Sequence, residues 1–89
     1  MFKLTTDRGR GNGVTFRLEG RLAAAWVDEF SRALSAARSE GVQVTIDLDG
    51  LSFADAQGVT VIRGAIEGGA RLVGASQFIG ALIDQERPL

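Results

Sequence analysis

The stretches VTFRLEG, residues 14–20, and VQVTIDLD, residues 42–49, alternate between apolar and polar side chains. Val14, Phe16 and Leu18 stand against Thr15, Arg17 and Glu19; Val42, Val44, Ile46 and Leu48 stand against Gln43, Thr45, Asp47 and Asp49. Successive side chains on a strand point to opposite faces, so each stretch reads as a strand with one buried face. A strand sandwiched between two helix layers would be apolar on both faces. These strands therefore predict a sheet with helices mainly on one face and a polar, wet face on the other. Residues 2–5 continue the pattern, with Phe2 and Leu4 against Lys3 and Thr5, and DRGRGNG, residues 7–13, reads as a hairpin loop. A phosphate-binding reading of that loop fails, because a strand follows it where a helix would be needed and it contains no Lys.

Helical spacing appears between the strands. Over residues 22–38, Leu22, Ala23, Trp26, Val27, Phe30, Ala33, Leu34 and Ala37 fall within one arc of about 140° at helical periodicity. Gly41 is a suitable stop, and Trp26 and Phe30 are expected in the core. Residues 56–67 predict a second helix. Asp55 is a good N-cap, Val59, Ile62, Ala65 and Ile66 share a face, and Gly68-Gly69 closes it. Gly58 and Gly64 each weaken that helix by about 1 kcal/mol, and GVTVI is β-branched, yet cap and spacing together favour helix. ARLVGA, residues 70–75, reads as a short strand. Ser76 caps a last helix with Phe78, Ile79, Leu82 and Ile83 on its apolar face and Pro88 beyond its end. The expected order is β-β-α-β-α-β-α: an α/β fold with a four-stranded mixed sheet, forming a single domain over residues 1–89 without linker or repeat.

Composition narrows the function classes. The net charge is −1, Lys3 is the sole lysine, and the remaining basic residues are scattered arginines. No basic patch for nucleic acid or an anionic membrane is visible. There is no Cys and no His, which removes disulfides, thiolate chemistry, typical zinc sites and the usual general base. The N-terminal MFKLTTDR lacks a signal-peptide core and no apolar run approaches membrane-spanning length. The expectation is a cytoplasmic protein without direct membrane insertion. VTIDLDG could present Asp47 as a phosphoryl nucleophile with Asp49 as acid/base and Mg²⁺, in the manner of haloacid dehalogenase-type phosphatases. Such an enzyme needs a larger fold, a charge-stabilising Lys and further acids on later strands. A calcium loop also fails, since apolar residues follow Gly50 where ligands are required. A non-catalytic protein without cofactor or metal is expected.

One segment stands apart. In FADAQGVTVI, residues 53–62, an acid and a glycine bracket Ala56 and Gln57, which are neither nucleophiles nor phosphoacceptors. The apolar strand ending IDLDGLSF, then Asp55-x-x-Gly58, a helix, Gly68-Gly69, ARLVGAS and a closing amphipathic helix together resemble the STAS domain, the family of anti-sigma-factor antagonists. LEGRL, leading into the first helix, extends the match over nearly the whole chain. In signalling members the pattern is Asp-Ser-Ser-Gly, and an anti-sigma-factor kinase phosphorylates the second Ser. The resemblance therefore implies a degenerate phosphorylation loop at Asp55, Ala56, Gln57 and Gly58, with Ala56 and Gln57 in the two Ser positions. Ala23 also departs from the family, which often has Asp there.

The helical projection places Gln57, Thr60 and Gly64 opposite the buried face, with Val61 at its border. Two readings of these four residues stay open: an ordinary solvated face, or a partner-docking patch in which the exposed Val beside Gly and Thr lets a partner helix pack closely. The resemblance implies a docking or regulatory module without the serine switch, whose partner is a protein such as an anti-sigma-factor kinase or an ABC ATPase. Two specific forms remain open: a constitutive antagonist in a sigma-factor pathway, and an accessory subunit of a lipid-transport ABC ATPase. A small-ligand or nucleotide binder is disfavoured because no polar pocket constellation is visible.

Overall fold

Residues Phe2–Asp7 (β1) and Gly13–Leu22 (β2) pair antiparallel, with Leu4 opposite Leu18 and Thr6 opposite Phe16. The computed structural model describes residues 1–9, 11, 13–77 and 79–81. Helix α1 (Ala25–Glu40) carries the chain back to β3 (Gln43–Ala54), which runs parallel to β2. Helix α2 (Ala56–Glu67) does the same between β3 and the short parallel strand β4 (Arg71–Val73). The sheet order is β1-β2-β3-β4. A third helix begins after Ser76, with helical backbone at residues 77 and 79–81. The Ser76 hydroxyl accepts the Ile79 N–H at 3.1 Å, and Ile79 is buried. Phe78, Leu82, Ile83 and Pro88 lie outside the described residues.

Alternation sorts the two faces as expected. Val14, Phe16, Leu18, Val44, Ile46 and Leu48 are buried, together with Val27, Phe30, Leu34 and Ala37 of α1 and Val59, Ile62 and Ala65 of α2. Burying a large aliphatic side chain stabilises the fold by about 1.5–3 kcal/mol. Phe16 and Phe30 join sheet to helix edge-to-face, with ring centroids 6.3 Å apart. Arg17 and Gln43 are exposed, and Thr15, Thr45 and Asp47 are half-buried on the open face. There Arg17 Nε lies 3.5 Å from Asp47 Oδ2 across neighbouring strands. Gly41 ends α1 in the left-handed conformation, φ 72°, donating to Arg38 O.

Several boundaries differ from the sequence reading. Helix α1 begins at Ala25, not at residue 22, because β2 keeps pairing with β3 through Gly20↔Leu51, Arg21↔Phe53 and Leu22↔Ala54. Leu22 is thus buried as a strand residue, while Ala23 and Ala24 form the turn. Trp26 is not a core residue. It sits in the first turn of α1 at 44% exposure, its ring resting on Phe2 with centroids 5.7 Å apart. Strand β3 runs on to Ala54 instead of stopping at residue 49, through register shifts that insert extra residues opposite β2. Strand β4 is shorter than residues 70–75, since its pairing ends at Asp47↔Val73 and Gly74 turns the chain at φ 73°.

Candidate functional site

Strands β2 and β3 are parallel, so their C-terminal ends share one edge of the sheet, and both α1 and α2 start there. Open α/β sheets commonly place their binding surfaces at this edge. Asp55 organises it. Its backbone is extended, and Oδ1 accepts the Gly58 N–H at 2.7 Å, which caps α2. Its other oxygen, Oδ2, accepts the Ala24 N–H at 3.2 Å. The Asp55 N–H donates to Leu22 O at 3.0 Å. One residue therefore ties the start of α2 to the end of β2 and to the turn that opens α1.

Two backbone features accompany this junction. Gly58 is buried, and a Cβ there would lie 3.0 Å from Leu22 O and 3.1 Å from Leu22 Cγ. The glycine lets α2 start directly against the strand end. Ala24 adopts φ 55°, ψ −128°, a region that favours glycine. The turn places its N–H toward the Asp55 carboxylate.

Beyond the junction, α1 and α2 leave a groove between them. At the N-terminal end Val27, Asp28 and Ser31 of α1 face Ala56, Gln57, Thr60 and Val61 of α2. Farther along, Leu34, Ser35 and Arg38 face Val61, Gly64 and Ala65. Gln57, Thr60 and Gly64 are exposed and Val61 is half-buried. A Cβ at Gly64 would meet nothing within 4 Å. The Thr60 hydroxyl donates to Ala56 O at 2.9 Å. The groove therefore offers an apolar floor, an uncharged α2 rim and an α1 rim with one charge near each end.

The structure brings Gln57, Thr60, Val61 and Gly64 to this one groove, next to Asp55, Ala56 and Gly58. Sequence reasoning missed the α1 wall. Asp28 and Ser31 fall outside the apolar arc of α1, but only the packing of one helix beside the other puts them opposite Gln57 and Thr60. It also missed the bond to Ala24, since alanine gives no sequence sign of a positive φ. Asp47, the residue of the phosphatase-like stretch, lies apart on the open face; its Oδ1 accepts the Asp49 N–H at 2.9 Å and Oδ2 faces Arg17. Among the described residues no group of three or more His, Cys, Asp or Glu is placed to hold a metal ion. None of their helices is long and apolar enough to cross a membrane.

The family model of the STAS domain matches residues 5–79. The chain belongs to the STAS domain family. The STAS fold is shared with the Bacillus cell fate determinant SpoIIAA in its phosphorylated form, at a TM-score of 0.75 and 20% identity, covering 93% of this chain and 82% of that one. The anti-sigma factor antagonist SpoIIAA in its unphosphorylated form matches at a TM-score of 0.66 and 20% identity, covering 98% of this chain and all of the other. An antisigma-factor antagonist STAS domain from Rhodobacter sphaeroides is 27% identical, at a TM-score of 0.63, covering 88% of this chain and 95% of that one. Comparison with curated protein sequences gives no match. The STAS domain described here is thus similar to anti-sigma-factor antagonists, consistent with a protein-interaction regulatory module.

Proposed function

We propose that this STAS domain is a non-catalytic docking module that binds a protein partner at the start of α2 and along the α1–α2 groove, without a serine phospho-switch. The observation that carries the reading is the chemistry of the α2 start. Ala56 and Gln57 are both exposed at the groove and neither bears a hydroxyl. The hydroxyl farther along this rim, that of Thr60, is engaged with Ala56 O. Phosphorylation would add charge and strong acceptors to such a surface and break a packed interface by repulsion and desolvation. Without an acceptor at residues 56 and 57, the surface stays competent to dock.

The test of the missing switch is incubation with an anti-sigma-factor kinase and ATP, followed by mass-spectrometric mapping. No phosphate is expected within residues 53–60. High stoichiometry at Thr60, or at the adjacent Ser52, would show that the switch has moved, and would overturn the reading.

A second reading is a constitutive antagonist in a sigma-factor pathway. It is favoured by the 27% identity to the Rhodobacter sphaeroides antisigma-factor antagonist domain over 88% of this chain. Capture of an anti-sigma factor by the purified domain, with or without ATP, supports it; failure to bind the anti-sigma factors of the same genome excludes it.

A further inference from the structure

Asp28 and Arg38 stand near opposite ends of the α1–α2 groove. They are ten residues apart on α1, about 15 Å at the rise of an α-helix. Neither makes a hydrogen bond or ion pair with another described residue. The facing rim of α2, Ala56, Gln57, Thr60 and Gly64, brings no charge to answer them. Each charge suits the dipole of α1 itself, Asp28 in its first turn and Arg38 in its last. The Arg38 guanidinium also lies against Gly68 at the end of α2, Nη2 3.1 Å from where a Cβ would stand, and its place on the groove side still leaves it, with Asp28, open to a charge on whatever fills the groove.

Direction follows from topology. Each helix returns the chain to the start of a parallel strand, so α1 and α2 run the same way. Their positive dipole ends lie together beside Asp28 and their negative ends beside Arg38. A partner helix packed antiparallel to both would oppose these dipoles favourably. Helices favour acidic residues in the first turn and basic residues in the last. In the antiparallel sense, those residues would meet Arg38 and Asp28 respectively; in the parallel sense, like charges would face each other. Ala56, Thr60 and Gly64 follow one another at i, i+4 and i+8, and small residues along a ridge permit interaxial distances near the short end of the range of about 8–10 Å.

Building on the docking reading above, we propose that the groove receives one amphipathic helix of a partner protein, about three turns long, seated antiparallel to α1 and α2. An acidic residue near its N-terminus faces Arg38 and a basic residue near its C-terminus faces Asp28.

The test is selection from a phage-displayed library of capped Ala/Leu helices of about twelve residues, with surface positions randomised among Glu, Lys and Gln. The targets are the wild-type domain, the Asp28→Lys/Arg38→Glu double variant and the milder single variants Asp28→Asn and Arg38→Gln, each checked for folding by circular dichroism. Wild type is expected to enrich helices with Glu early and Lys late, and the double variant the reverse order. A synthetic helix of the first class should lose up to about fivefold in affinity per reversed charge, with smaller losses for the neutral variants, and should fail to bind Gly64→Glu. The same charge order on every target, no order at all, no recovered binder, or binding that survives Gly64→Glu would overturn the proposal. So would a concentration-dependent dimer abolished by Gly64→Glu, which would make a second copy the occupant. If the native partner is lost with Gly64→Glu while the selected helices show no charge order, the docking reading stands and this inference alone falls.

Discussion

Asp55 at the start of α2 accepts the backbone N–H of Ala24 at the start of α1, 3.2 Å away, while its other carboxylate oxygen caps its own helix. One side chain therefore serves both walls of the groove at once. Asp55→Ala removes both bonds and should destabilise the fold by about 1–3 kcal/mol. Asp55→Asn retains one acceptor oxygen and should cost less. Urea unfolding followed by circular dichroism reads both, and equal stability of Asp55→Ala and wild type would refute the role assigned to this residue.

The turn itself supplies a prediction of opposite sign. Ala24 sits at φ 55° with a Cβ that this region disfavours. Ala24→Gly removes the clash, worth about 1–3 kcal/mol of strain, against a smaller loss from the greater freedom of glycine in the unfolded chain. The variant should gain about 0.5–1 kcal/mol in the same unfolding experiment. A loss of stability would contradict the positive φ.

Gly58 is required by close approach. Alanine there would bring Cβ to 3.0 Å from Leu22 O and 3.1 Å from Leu22 Cγ. Gly58→Ala should cost about 1–3 kcal/mol despite the better helix propensity of alanine. A net gain in thermal stability would show that α2 can move away from the strand end without penalty.

The one-sided sheet makes a paired prediction. Val44 is buried and Thr45, its neighbour on β3, is half-buried on the open face. Val44→Ala should cost about 1–3 kcal/mol and Thr45→Ala under about 1 kcal/mol. Equal losses would mean that both faces are covered.

Much of this architecture was legible because local signals agreed. Helix α2 spans Ala56–Glu67, as the Asp55 cap, the Val59–Ile62–Ala65 spacing and the closing glycines indicate. Strand β3 was readable only as far as its period of two held. Its buried residues run Val44, Ile46, Leu48 and then Leu51 and Ala54, a change of phase imposed by bulges against β2. The start of α1 is not legible in the sequence because Leu22 and Ala23 fit the helical arc of Val27 and Phe30 by coincidence. Leu22 is held instead by pairing with Ala54, a contact distant in sequence. Trp26 shows the limit of an apolar stripe: the periodicity gives its direction on the helix, but the end of α1 at which it lies has Phe2 beneath it rather than a full core. The groove was half legible. The exposed side of α2 followed from projection, whereas the matching side of α1 required knowledge of how the two helices lie together.

Whether the α1–α2 groove is the partner-docking surface turns on Gly64. Nothing lies within 4 Å of a Cβ at this exposed position, so Gly64→Glu should fold, with α2 favoured by about 0.5–1 kcal/mol through helix propensity. The substituted carboxylate must lose its water when a partner packs over it, adds bulk to the α2 rim, and competes with the partner for Arg38, which lines the groove beside Gly64. The measurement is partner affinity for wild type, Gly64→Glu and the control Arg32→Glu, on the exposed face of α1, with the partner first captured from native lysate and each variant checked for folding by circular dichroism. Gly64→Glu should weaken binding by about 2 kcal/mol, roughly 30-fold, while Arg32→Glu binds as wild type. Undiminished binding of every wild-type partner by folded Gly64→Glu would rule out the groove as the docking surface.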